Sequence, residues 1–130
     1  MSRLRFTRWV FLLAGIIGLV IVVPPFFQED QFGRDYPPQI THPEFFYGFL
    51  TAVLAWQLMY ITIGTDPLRF RRAMLPAILA KASYAVAVLL LYTAKRVYPV
   101  SLGFAAMDAT FAVLFVVAYI ATRKAGGASV

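Results

Sequence analysis

The sequence predicts an all-α membrane protein, an antiparallel bundle of four transmembrane helices. Three observations carry that expectation. Hydrophobic residues make up 61% of the 130 positions and charged residues only 14%, whereas a soluble domain is about half apolar and about a quarter charged. The apolar residues fall into four runs, each long enough to cross roughly 30 Å of hydrocarbon as a helix. The basic residues gather at the ends of those runs. A chain this short has little interior in which to hide so much apolar surface, so lipid must cover it. There is no cysteine, which excludes thiolate catalysis, disulfide exchange and cysteine metal sites. The formal charge of +6 sits at helix ends, so it reads as a topology signal. It does not read as a nucleic-acid stripe.

The first span is expected over 9–27, behind Arg3, Arg5 and Arg8. A positive start and an apolar run also describe a signal peptide. However, Pro24-Pro25-Phe26-Phe27 stands where a small-residue cleavage site would be required. The run therefore reads as an uncleaved span. Ala14, Gly15 and Gly18 give it one small-residue side that lets another helix approach closely. An outer loop over 28–44 follows, polar and turn-rich, with Glu29, Asp30 and Asp35 against Arg34. It is either a docking segment or a strap lying over the bundle.

Thr41-His42-Pro43-Glu44 marks the next helix start, with a cap residue, proline at the first helical position and an acid at the positive helix end. The second span is expected over 45–64. Gly48, Ala52 and Ala55 form a small-residue stripe at helical spacing, expected to be a packing face. Thr65-Asp66-Pro67 repeats the start signal. The third span, 73–93, follows Arg69, Arg71 and Arg72, which are candidate ligands for anionic lipid headgroups. Lys95, Arg96 and Pro99 form a short turn before the fourth span, 101–122. A disordered tail is expected over 123–130.

Orientation follows from the basic residues. With both termini in the cytoplasm, Arg3, Arg5, Arg8, Arg69, Arg71, Arg72, Arg123 and Lys124 lie inside, and Arg34, Lys95 and Arg96 lie outside. That is the positive-inside pattern of a multi-pass inner-membrane protein.

Charges inside a membrane are expensive, about 2.5–3.5 kcal/mol each on insertion scales. The spans hold two, Lys81 and Asp108. At about 1.5 Å per residue, Lys81 lies roughly 12 Å from the cytoplasmic side and Asp108 roughly 20 Å from it. A lysine stem can bridge that gap. Gln57 lies near the depth of Lys81, and Tyr84 shares its face. One intramembrane polar cluster of Gln57, Lys81, Tyr84 and Asp108 is therefore expected, either as a register-fixing ion pair or as the lining of a ligand pocket. The competing arrangement has Lys81 snorkelling to the cytoplasmic surface.

His42 beside Pro43 reads as a cap, not a metal ligand. No cofactor or metal is implied, because the chain carries no nucleophile elbow, phosphate loop, haem-type histidine pair or metal-ligand pair at helical spacing. The aromatic residues of the outer end fit an interfacial belt or a partner-binding face.

The segments HPEFFYGFLTAVLAWQ, TDPLRFRRAMLPAILAK and DATFAVLFVVAYIATR resemble a group of small four-span bacterial membrane proteins without an established activity. More distantly, the architecture is similar to the DoxX-like and EXPERA-like four-helix membrane proteins. That likeness implies quinone-coupled oxidation, sterol isomerisation or binding of lipophilic ligands. The isomerase pattern needs inward carboxylates and a histidine within the bundle, and this chain departs from it with Asp108 alone and His42 at the boundary.

Three functional expectations follow. The first is a non-enzymatic accessory or scaffold subunit of a larger membrane complex, or a homo-oligomer, with membrane lipids as further partners. The second is a protein that binds or transforms a quinone, isoprenoid or sterol-like lipid around Lys81 and Asp108. The third is a transporter or channel, which two buried charges support poorly.

Overall fold

The computed structural model describes residues 2–123. The expected disordered tail beyond Arg123, with Lys124, lies outside the described residues. The described chain is helical throughout, with four helices long and apolar enough to cross a membrane.

Helix α1 spans Arg3–Val22. Ser2 caps it, its Oγ accepting the Arg5 N–H at 3.1 Å. Pro24 and Pro25 end the regular helix because neither can donate to the ladder, and a 3₁₀ turn over Pro24–Phe27 follows. The stretch expected as a polar loop contains a short helix, α2, over Glu29–Asp35. Its acids stand in the first turn and Arg34 in the last, which complements the helix dipole. Gln31 ties the turns together, donating to Asp35 at 2.8 Å and accepting from Arg34 at 3.0 Å.

Helix α3 spans Pro43–Thr65. His42 holds the position before Pro43 but makes no side-chain cap bond, and its Nδ1 pairs with Glu44 at 3.2 Å. After α3 the Asp66 carboxylate accepts the Arg69 N–H at 3.3 Å, and a 3₁₀ turn over Arg71–Ala73 leads into α4, Met74–Thr93. Pro76 falls in the first turn of α4, where its missing N–H has no acceptor to lose. Lys95 follows α4 at a φ of 59°, an unusual conformation for a residue with a side chain. It closes a Schellman motif in which the Lys95 N–H reaches Tyr92 O and the Arg96 N–H reaches Leu91 O, each at 2.9 Å. Helix α5 spans Val100–Ala121.

The four long helices pack as two pairs. The largest helix–helix interfaces join α1 with α3 and α4 with α5. The two pairs meet through α1 and α5, whereas α3 and α4 barely touch. The end of the bundle carrying the described termini is solidly packed. Phe11 stacks on Phe115 with centroids 4.2 Å apart, and Tyr60 meets Phe115 at 5.2 Å. Val10, Ala14, Ile63, Met74, Ala77 and Ala118 complete this plug. Arg71 staples it: Nε donates to Thr122 Oγ1 at 3.2 Å, Nη2 donates to Tyr119 O at 2.8 Å, and the guanidinium lies 3.8 Å over the Tyr119 ring.

The small residues of α1 do what their spacing predicts. A Cβ on Gly15 would lie 2.5 Å from Ile61 and 2.7 Å from the Gln57 carbonyl oxygen, and one on Gly18 would overlap the Gln57 amide. The stripe on α3 differs from expectation. Gly48, Ala52 and Ala55 are exposed, and a Cβ on Gly48 would meet nothing. Helix α1 takes the other side of α3, where Gln57 and Ile61 face its glycines.

Candidate functional site

Above the plug the helices do not fill the bundle. A cavity of about 630 Å³ occupies the half nearer α2 and takes its lining from all four long helices. That volume lies within the range of small-molecule pockets, about 300–1,000 Å³. Its walls are mainly apolar and aromatic, with Phe49, Val53, Trp56 and Phe104 among them. The weak seam between α3 and α4 runs beside it: Trp56 on one helix and Tyr84 on the other both line the space.

The polar groups converge where the cavity meets the plug. Lys81 Nζ donates to Asp108 Oδ1 at 3.0 Å, with side chains 8% and 15% exposed. Lys81 therefore does not snorkel. Its ammonium also stands 5.3 Å from the Tyr60 ring centroid and 5.7 Å from that of Phe111. Those negative ring faces supplement the single carboxylate. Two facts of sequence bring the pair together. Lys81 and Asp108 sit on consecutive antiparallel helices, and the lysine stem spans the depth between them.

Tyr84 lines the same cavity without a hydrogen bond to the pair. Gln57 also borders it, yet its amide turns toward its own helix and α1. Nε2 donates to Val53 O at 3.0 Å, while Oε1 is buried against Gly18 without a hydrogen-bond partner. The contact with Gly18 is the kind a weak Cα–H···O interaction stabilises between membrane helices. Gln57 is thus a helix-packing residue at the edge of the cluster. Of the three candidate headgroup ligands, Arg71 is spent on Tyr119 and Thr122. Arg69 and Arg72 remain exposed, Arg69 beside the Phe70 ring at 5.4 Å.

No protein-family model, curated protein or solved structure matches this chain.

The far end of the cavity has an aromatic roof. Phe32 meets Phe46 at 5.4 Å and Tyr36 at 5.1 Å, and Tyr36 meets Tyr98 at 5.3 Å. The Tyr98 hydroxyl donates to Pro37 O at 3.0 Å. Helix α2 and the turn after it therefore bridge the start of α3 and the α4–α5 turn. Several aromatics expected as a belt are instead spent on one another. Arg96, exposed at this end, lies on the rim.

Sequence reasoning missed Tyr60, Trp56 and the Tyr98 strut. An aromatic in an apolar run carries no mark of the side it faces. One signal for Tyr60 was available: it follows Gln57 by three residues, and so shares its face.

Proposed function

We propose that this multi-pass membrane protein binds a lipophilic small molecule, drawn from the bilayer, with its polar head against Lys81 and Asp108. One observation carries the reading: the buried ion pair forms part of the wall of a ligand-sized apolar cavity and is not sealed inside packed core. A pair that served only to fix register would be expected within the plug, among Phe11, Tyr60 and Phe115. The loose α3–α4 seam gives a ligand a path from the membrane. A quinone, isoprenoid or sterol-like lipid has the required shape, and the analogy with DoxX-like and EXPERA-like proteins points the same way. Binding is the activity the arrangement supports, because Lys81 and Asp108 hold each other.

Both termini are placed in the cytoplasm and α2 on the outer face, on the strength of the basic residues around Arg3–Arg8 and Arg69–Arg72. The test is native mass spectrometry of the protein released from its own membrane. A stoichiometric small adduct is expected, and Ala80→Trp, which places bulk against the cavity, should abolish it. A wild-type spectrum without any adduct would rule the reading out.

One observation favours a second reading, an accessory subunit of a larger membrane assembly. The stripe of Gly48, Ala52 and Ala55 faces outward, where small residues let a further helix approach. Ala52→Leu should then break co-purification with that assembly, and a solitary wild-type monomer would count against it.

A further inference from the structure

We propose that the cavity selects an uncharged head group, offering an acceptor to Lys81 and a donor to Asp108, over an anionic one. The inference rests on the pocket reading above. An ammonium has three donors and a carboxylate two acceptor oxygens. Among the described residues Lys81 uses one donor and Asp108 one oxygen, and they use these on each other. Both side chains border the cavity, so the pair retains unused capacity of both signs beside the space a ligand would fill.

Charge balance decides what can use it. The pair is neutral as a unit. Around it the lining is apolar or aromatic, apart from the phenols of Tyr60 and Tyr84 and the amide of Gln57, whose Nε2 donates to Val53 O and whose Oε1 is turned against Gly18. A carboxylate or phosphate head entering here would add a net negative charge to a medium of low dielectric. If Lys81 held it while keeping Asp108, one cation would face two anions; if Lys81 left Asp108, that carboxylate would be buried without a partner. Either arrangement strands one charge, the costliest state available in an apolar interior. A hydroxyl, ketone or quinol head strands none. It takes a free N–H of Lys81 or gives a hydrogen to the free oxygen of Asp108, and the pair stays closed. Tyr60 and Phe111 help keep the ammonium in place through both states. Among the described residues Arg96 is the one unbalanced cation on the lining. It stands at the exposed rim, where water screens it.

Two retinoids with the same polyene tail and different heads make the probe. Retinol is neutral, and retinoate is ionised at about pH 8. The full chain carrying Trp9→Phe keeps Trp56 as its single tryptophan, on the cavity wall, so its fluorescence reports occupancy. Retinol should bind about tenfold or more tighter than retinoate, the factor that about 1.4 kcal/mol of differential burial produces. Asp108→Asn removes the counter-charge of Lys81 and should reverse the order. Equal or tighter binding of retinoate to the chain with Asp108 intact would overturn the neutral-head inference while leaving the pocket reading in place. An unreversed order in a folded Asp108→Asn variant would overturn it as well. Failure of both retinoids to quench Trp56 would remove the pocket reading and this inference together. If Asp108→Asn does not fold, the first comparison still decides.

Discussion

At the scale of single residues, the chain concentrates its electrostatic risk in one contact. Lys81 and Asp108 meet at 3.0 Å with little exposure, so removing either strands the other. Lys81→Met and Asp108→Asn should each destabilise by roughly 3–5 kcal/mol. Together they should cost far less than the sum, because the double variant leaves no unpaired charge. Reversible unfolding in mixed micelles, followed by circular dichroism, checks the coupling, and strict additivity would show that the contact carries no energy. The pair was legible from sequence for a simple reason. The spans contain two charges, and consecutive antiparallel helices bring overlapping depths side by side. Tyr60 was not, since a ring that flanks Lys81 looks like any other in an apolar run. Arg71 was equally hidden, because it stands among neighbours that do set topology. Only the fold shows that it binds Tyr119 and Thr122.

At the scale of elements, the helices came through because proline, capping residues and basic clusters punctuate four long apolar runs. What the runs did not reveal is which side of each helix meets protein. Two small-residue stripes carry the same signal in sequence, yet the one on α1 is buried against α3 and the one on α3 is exposed. Their substitutions should separate accordingly. Gly15→Ala drives a methyl into the Gln57 carbonyl oxygen and Ile61, and should destabilise by about 1–3 kcal/mol through forced separation of α1 from α3. Gly48→Ala meets open space, and should be neutral or stabilising by up to about 1 kcal/mol through helix propensity. Thermal melts of the two variants decide it, and similar losses would mean that α3 packs on its other side. Helix α2 escaped detection for the opposite reason. Its composition is that of a loop, and its order comes from the Phe32 and Tyr36 contacts that anchor it.

At the scale of the whole molecule, one half is filled and the other is hollow. Composition cannot report that division, because a lining and a core are built from the same side chains. The division also follows the chain. Helices α1 and α3 form one closely packed pair, α4 and α5 the other, and the contact between the pairs runs mainly through α1 and α5. Two polypeptides, 1–66 and 67–130, should therefore reassemble when made together and co-purify, and failure to do so would mean that the unbroken connection at Pro67 is required. The division has a consequence for biogenesis. Lys81 and Asp108 both belong to the second hairpin, so neither depends on the first for its counter-ion. As the ribosome delivers α4 and then α5, the lysine needs to wait for only one more helix before it is neutralised. The hairpin can leave the translocon as an electrically balanced unit, and the first hairpin has only to dock against it.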